Sequence, residues 1–332
     1  MIYLICILVT FIIAVFLTPF TIKISKGLDI FSRPKKDSDK RMPCLGGIAI
    51  FVSFIIAMAL FYKYVNGFGV KLIGLVVSSG LIVALGFLDD MKDLSPFKKI
   101  IVELIAIAIM IFFGIHIKTV YLPGFLNILL TVAWMIFIIN AFNLLDIADG
   151  LASGLAVIIS SSLLVISAIK GDSLSSIVLA GFIGANLGFL LYNFNPAKLY
   201  MGDTGSLFLG FLLGVASINI SYAPINRPIA LLTPIVVLSL PIYDTLFLVF
   251  MRMKKKKIVF KKSDDHIALR LVTMGYSVRK SVLAMYFFSI VIAVSSLIVA
   301  FGSTKAAGII LLIVVMLFFI MGKKVGMVRI ED

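Results

Sequence analysis

Apolar runs of bilayer-crossing length follow one another along the whole chain, and they constrain its fold more than any motif does. Windows near the ~20 residues needed to span a hydrocarbon core lie at about 2–22, 45–62, 71–88, 100–115, 125–142, 151–169, 175–192, 205–222, 228–250, 281–301 and 306–321. In lipid the backbone N–H and C=O groups of such a run must pair within the segment, so the runs are helices. The expectation is an all-α, polytopic integral membrane protein with about eleven transmembrane helices. Composition agrees: 61% of the 332 residues are hydrophobic and only 14% charged, against roughly half and a quarter in soluble domains. No soluble domain is long enough to stand alone. The first run lacks a basic leader and a small-residue cleavage site, and it reads as a retained anchor.

Assigning loops alternately to the two faces puts 24 of the 30 Lys and Arg residues on one side. The other side receives Lys63, Lys71, Lys118, Lys170, Arg227 and Lys305. By the positive-inside rule the rich side is cytoplasmic, with the N-terminus outside and the C-terminus inside. Its loops fall at about 23–44, 89–99, 143–150, 193–204 and 251–280. The net charge of +14 is mostly this topology signal; no basic face with interleaved aromatics stands apart from the membrane, which argues against nucleic acid as a partner. Cys6 and Cys44 form neither a disulfide framework nor a metal-ligand spacing. All of the 16 Asp and Glu residues except Glu103 and Asp172 fall on the cytoplasmic side, so the chemistry is expected there. His116 lies in an external loop and is assigned no role.

Five polar motifs abut the apolar runs. Asp89-Asp90 ends the third helix, where carboxylates oppose the macrodipole; a divalent cation or a proton-transfer role would offset that cost. Asn140, Asn143, Asp146 and Asp149 recur every three residues, a spacing that drifts about 60° per step on a helix and cannot form one stripe. That helix is expected to end near Asp146, with Gly150 supplying a turn. Amide and carboxylate oxygens of this kind suit Mg²⁺, although a structural polar cluster remains an alternative. Gly202-Asp-Thr-Gly-Ser206 opens the eighth helix, placing the N–H groups of Thr204 to Ser206 where phosphate binds; Asp203 as an N-cap is the plainer reading. Asp244 sits about 12 Å inside the helix that ends near Arg252, a depth at which an ionisable residue faces a cavity or a partner. Glu103 reads as an i,i+4 partner of Lys99. His266 and Arg270, four apart, can share a helical face and grip a diphosphate, or belong to a basic segment lying on anionic lipid.

In this order the motifs resemble the polyprenyl-phosphate N-acetylhexosamine-1-phosphate transferases, from Arg33-Pro34 and Leu45-Gly-Gly-Ile48 through Arg270. The resemblance implies a single transmembrane catalytic domain over residues 1–332 in a bacterial plasma membrane, its active site facing the cytoplasm. It implies transfer of a sugar-1-phosphate, GlcNAc first among the N-acetylhexosamines, from a UDP-sugar to undecaprenyl phosphate, with release of UMP. By the same resemblance Asp89, Asp90 and Asp149 are catalytic. Asn143 and Asp203 hold Mg²⁺, with Mn²⁺ as an alternative, and Lys99, Asp146, His266 and Arg270 bind substrate; Asn140, Gly202 and Asp244 join the substrate-binding set from their positions in the motifs. The chain departs from the family at Ile147, which replaces the first glycine of an Asp-Gly-x-Asp-Gly run, and at Ala268 and Leu269, where relatives often carry two more histidines. The missing histidines and the Leu that follows Arg270 look nearer to the initiating GlcNAc-1-phosphate transferases than to phospho-N-acetylmuramoyl-pentapeptide transferase, the alternative within the family. A lipid-linked substrate transporter is disfavoured because the acids crowd one edge and no repeat is visible. A CDP-alcohol phosphotransferase is disfavoured because Asp149-Gly-Leu-Ala-Ser153 lacks the arginine of that signature. A second copy of the chain is left open as a partner.

Overall fold

Helix accounts for most of the computed structural model, which describes residues 1–32, 41–65, 69–223, 227–256 and 265–328. Arg33-Pro34, Lys40 and the Lys261-to-Asp264 stretch lie outside the described residues. The helices are α1 (Ile2–Gly27), α2 (Gly46–Phe61), α3 (Val70–Lys92), α4 (Pro96–Phe112), α5 (Gly124–Leu145), α6 (Leu151–Ile169) and α7 (Ser173–Asn193). They continue with α8 (Gly202–Asn219), α9 (Thr233–Val237), α10 (Ser239–Lys254), α11 (Ile267–Thr273), α12 (Val278–Phe301) and α13 (Thr304–Gly326). Among the described residues eight helices are long and apolar enough to cross a membrane, and a bent pair makes up to nine. Two of the expected windows are filled more modestly. α4 has only 17 residues, and α8 opens on the polar stretch Gly202-Asp203-Thr204-Gly205-Ser206.

The bent pair departs from the expected single run at 228–250. Residues Pro228–Val237 and Ser239–Lys254 meet at 67°. Pro241 has no N–H to offer the Val237 carbonyl, and its ring crowds that carbonyl, so a straight helix cannot pass this point. In α1, Pro19 likewise strips the Val15 carbonyl of its helical donor, yet the helix continues. There the Tyr192 hydroxyl donates to the Val15 carbonyl at 3.1 Å, satisfying the freed group from a neighbouring helix.

Small residues set how closely the helices approach, as expected where lipid supplies no hydrophobic drive between them. Gly184 and Gly188 of α7 lie against the α1 backbone near Ile7 and Phe11. Gly210 of α8 lies against Ile138 and Ile139 of α5, and Gly214 against Met135. This second contact brings the first turn of α8 beside the last turns of α5. The opening of α8 is then fixed from two further sides. Gly46 and Gly47, at the start of α2, donate their N–H groups to the Tyr200 and Met201 carbonyls at 3.0 and 2.9 Å. A Cβ on Gly47 or on Gly86 of α3 would fall inside 3.0 Å of the Thr204–Gly205 or Asp203–Thr204 backbone.

Candidate active site

Where α3, α4, α5 and α8 converge, three acids and a lysine form one cluster. α3 closes on Asp93 in a left-handed conformation, and the Asp89 carboxylate folds back to accept from the Leu94 N–H at 2.7 Å. Pro96 starts α4, its fixed φ suiting a first helical turn. One turn later Lys99 extends its ammonium between two carboxylates, pairing with Asp89 and with Asp203 Oδ2, the latter at 2.7 Å. Lys99 and Asp203 keep 23% and 33% of their side-chain surface exposed, so this pair is open to approach. Asp203 stands in the first turn of α8, and its side chain makes no capping bond; the N-cap position is held by Met201. The plainer sequence reading of Asp203 as an N-cap is therefore replaced.

The same helix start does not offer all its amides to phosphate, as the sequence suggested. The Asp90 carboxylate accepts from the Asp203 and Thr204 N–H groups at 2.8 and 3.0 Å and from the Thr204 hydroxyl at 2.6 Å. Gly202, at φ +70°, is the turn residue beneath it.

α5 contributes amides, since Asn143 Nδ2 donates to Ser206 Oγ at 2.9 Å, one turn beyond Asp203. Asn140 Nδ2 donates to Glu103 Oε2 and to the Ile136 carbonyl, both at 2.9 Å. Glu103 is fully buried and its Oε1 has no hydrogen-bond partner among the described residues. The expected local pair of Glu103 with Lys99 is thus not formed. Both residues reach other helices instead. α5 ends at Leu145 with Asp146 as C-cap, and Gly150 turns at φ +78°, as its sequence indicates.

Asp149 reaches the segment that follows α7. Its Oδ2 accepts from Asn195 Nδ2 at 3.0 Å and from the Ala197 N–H at 3.1 Å, holding the segment that leads from α7 to α8. Beside it the Gly150 N–H donates to Asn193 Oδ1, and the Tyr286 hydroxyl of α12 donates to the Gly150 carbonyl.

The remaining predicted residues form a second cluster. His266 Nδ1 donates to Asp244 Oδ2 at 2.7 Å, and the Ile267 N–H donates to Asp244 Oδ1 at 2.9 Å. Asp244 thereby meets a partner, as its depth requires. Arg270 does not join His266 on an open face. It is fully buried, pairs with Asp265 and donates to the Val325 and Val328 carbonyls at 3.1 and 2.7 Å, beneath the Phe247 ring at 5.3 Å. Lys255 joins Asp265 at 2.9 Å. Burial pushes the Asp265 carboxyl up, but Lys255 and Arg270 outweigh it and hold the group below the usual carboxylate range.

The donor set fits a hard divalent cation. Asp203 and Asn143 offer oxygens on adjoining helices, with Asp89 across Lys99. Mg²⁺ needs only one or two carboxylates when substrate phosphates and water complete its shell. Among the described residues no group of three or more His, Cys, Asp and Glu residues is arranged to hold a metal ion by itself.

Several helices of bilayer-crossing length, with a half-open carboxylate–lysine cluster where four helices meet, make up a polytopic membrane protein with a candidate site at its helix ends. The model of glycosyl transferase family 4 matches residues 72–221, the stretch from α3 to the end of α8. The chain is 34% identical to the probable undecaprenyl-phosphate N-acetylglucosaminyl 1-phosphate transferase of Bacillus subtilis (strain 168), over 88% of this chain and 83% of that protein. It is 33% identical to the decaprenyl-phosphate N-acetylglucosaminephosphotransferase of Mycolicibacterium smegmatis, over 76% and 70%. It is 30% identical to the phospho-N-acetylmuramoyl-pentapeptide-transferase of Caldicellulosiruptor bescii, over 88% and 95%. The chain belongs to glycosyl transferase family 4.

Proposed function

We propose that the protein transfers GlcNAc-1-phosphate from UDP-GlcNAc to a polyprenyl phosphate at the cytoplasmic face of a bacterial plasma membrane. The observation that carries this reading is the ion pair of Lys99 with Asp89 and Asp203, half-open beside Asn143, in a chain whose relatives act on undecaprenyl and decaprenyl phosphates. An oxygen of the acceptor phosphate bonds to the sugar-bearing phosphorus. The bond to the bridging oxygen breaks, and its electron pair leaves with UMP. Such transfers depend mainly on positioning and on neutralising oxygen charge. Mg²⁺ on Asp203 and Asn143 would supply that neutralisation at the diphosphate.

Lys99 would hold phosphate oxygens as a charge-assisted donor, and Asp89, across it, would orient the acceptor headgroup. Asn140 and Glu103 support this wall one turn deeper. Asp149 holds the loop into α8, while Asp146, Asp244, His266 and Arg270 border or brace the donor side. All eleven apolar windows then cross the bilayer, α4 and α8 as short spans, with the N-terminus outside and the cluster inside, in accord with the lysine and arginine bias.

Purified protein with undecaprenyl phosphate and Mg²⁺ tests this against a panel including UDP-GlcNAc and UDP-MurNAc-pentapeptide. UMP release with UDP-GlcNAc is expected. Release only with the pentapeptide donor would move the protein to the other branch of the family. Release with neither, from folded protein, would sink the transferase reading.

A further inference from the structure

We infer that Asp90 is a positioning residue: its carboxylate caps the N-terminus of α8 from the neighbouring helix and so sets where Asp203 stands. The inference rests on the transferase reading for its kinetic consequences but on geometry for its substance. Adjacent residues of a helix diverge by about 100°, so Asp89 and Asp90 face different neighbours. Asp89 meets Lys99 and Leu94; Asp90 takes the two N–H groups and the hydroxyl at residues 203 and 204. Three accepted bonds from one helix start leave it engaged as an anchor. They also resolve the puzzle of a carboxylate at a helix C-terminus. What is unfavourable at the end of α3 is favourable at the start of α8, where the dipole and unpaired amides attract negative charge.

Three glycines make the approach feasible. Gly86, one turn before Asp90 on the same face of α3, lets that helix touch the Asp203–Thr204 backbone. Gly47 lets α2 touch the adjoining Thr204–Gly205 backbone. A Cβ on Gly202 would fall inside 3.0 Å of both Asp90 oxygens, and its φ of +70° is one that other residues rarely adopt. With no capping side chain of its own, α8 depends on this borrowed carboxylate.

Asp90→Asn, Thr204→Val, Thr204→Ser and the Asp90→Asn/Thr204→Val pair decide the matter, measured for kcat, substrate KM values, pH–rate profile and detergent melting temperature. A displaced reacting group costs up to roughly 10²-fold in rate. Asp90→Asn and Thr204→Val should therefore lower kcat in that range with little change in KM. The double variant should be no slower than Asp90→Asn, since both remove one interaction. Thr204→Ser, which keeps the hydroxyl, should retain wild-type kcat, and the acid limb of the profile should persist in Asp90→Asn. The proposal is overturned if Thr204→Val keeps full kcat while Asp90→Asn loses it, if the losses multiply, or if the acid limb disappears with Asp90. Should Asp90→Asn fail to fold, the Thr204→Val and Thr204→Ser contrast decides alone. Should the wild type release no UMP with any donor, the transferase reading falls. Melting temperatures then decide the cap, non-additive shifts supporting it and additive ones removing it.

Discussion

Two regions of this protein gather the same kinds of side chain and hold them in different surroundings. At the junction of α3, α4 and α8, Lys99 lies between Asp89 and Asp203 with about a quarter of its side chain exposed. At the corner of α10, α11 and α13, Arg270 lies against Asp265 with both side chains at 0% exposure. Their partners differ as well. Lys99 bridges carboxylates of two other helices, whereas Arg270 spends its donors on carbonyls at the end of α13. A phosphate can displace a carboxylate from a half-open ammonium. It reaches a buried guanidinium only by dismantling the helix end that encloses it. Residue type and motif spacing mark both regions as candidate sites; burial and partner identity set them apart as an open cluster and an enclosed one.

The largest effect that would test this contrast is at Asp203. Asp203→Asn should lower UMP release on the order of 10²- to 10³-fold, the range for losing a group that stabilises developing charge, while the melting temperature barely moves. A loss below tenfold would mean that the open cluster is not where phosphates are held. Arg270→Ala should behave in the opposite way. Breaking a buried pair costs about 3–5 kcal/mol because the remaining charge is stranded, so the expected readout is a sharply lower melting temperature in detergent. If that variant melts like wild type but needs far more UDP-sugar to saturate, the corner is a binding site and the contrast fails.

A smaller effect follows from pH. The Asp265 carboxyl is held below its ordinary range by Lys255 and Arg270 despite burial. A depressed folded-state value means stabilisation that is complete above the unfolded value, about 3.9, and is lost as pH falls through the folded one. The melting advantage of wild type over Asp265→Asn should be constant at neutral pH and shrink progressively below about pH 4. An advantage that survives undiminished to pH 2 would show that charge is not what holds this corner.

Much of this was legible in the chain because the signals are local. Apolar windows mark the helices, and Asp146 with Gly150 marks the end of α5 and its turn. The break before α10 escaped a window average, though Pro241 carries it openly through the donor it lacks. The pairing partners were not readable. Lys99 and Glu103, one turn apart, suggest a bond to each other, yet Lys99 reaches Asp203, 104 positions away, and Glu103 reaches Asn140. Arg270 resembles a phosphate ligand by motif, and nothing in its local spacing announces the carbonyls 55 and 58 positions away that take two of its donors. Sequence spacing predicts which side chains share a turn; only packing decides which of them find a closer partner on another helix.

The smallest expected effect separates the open cluster from the helix that carries it. Gly86 and Gly80 both lie in the interior of α3, where glycine weakens a helix relative to alanine by roughly 0.5–1 kcal/mol. At Gly86 the added methyl would press on the Thr204 backbone, which cannot rotate away as a side chain can. Overpacking of that kind costs about 1–3 kcal/mol and would shift the start of α8, so Gly86→Ala should lose both stability and turnover. At Gly80 the nearest atom to a new Cβ is Phe51 Cζ at 4.0 Å, ordinary contact. Gly80→Ala should leave UMP release unchanged and raise the melting temperature slightly, by restricting the unfolded chain. Equal losses at the two positions would mean that α3 matters only as a helix. Loss at Gly86 alone would show that its approach to α8 is what the cluster requires.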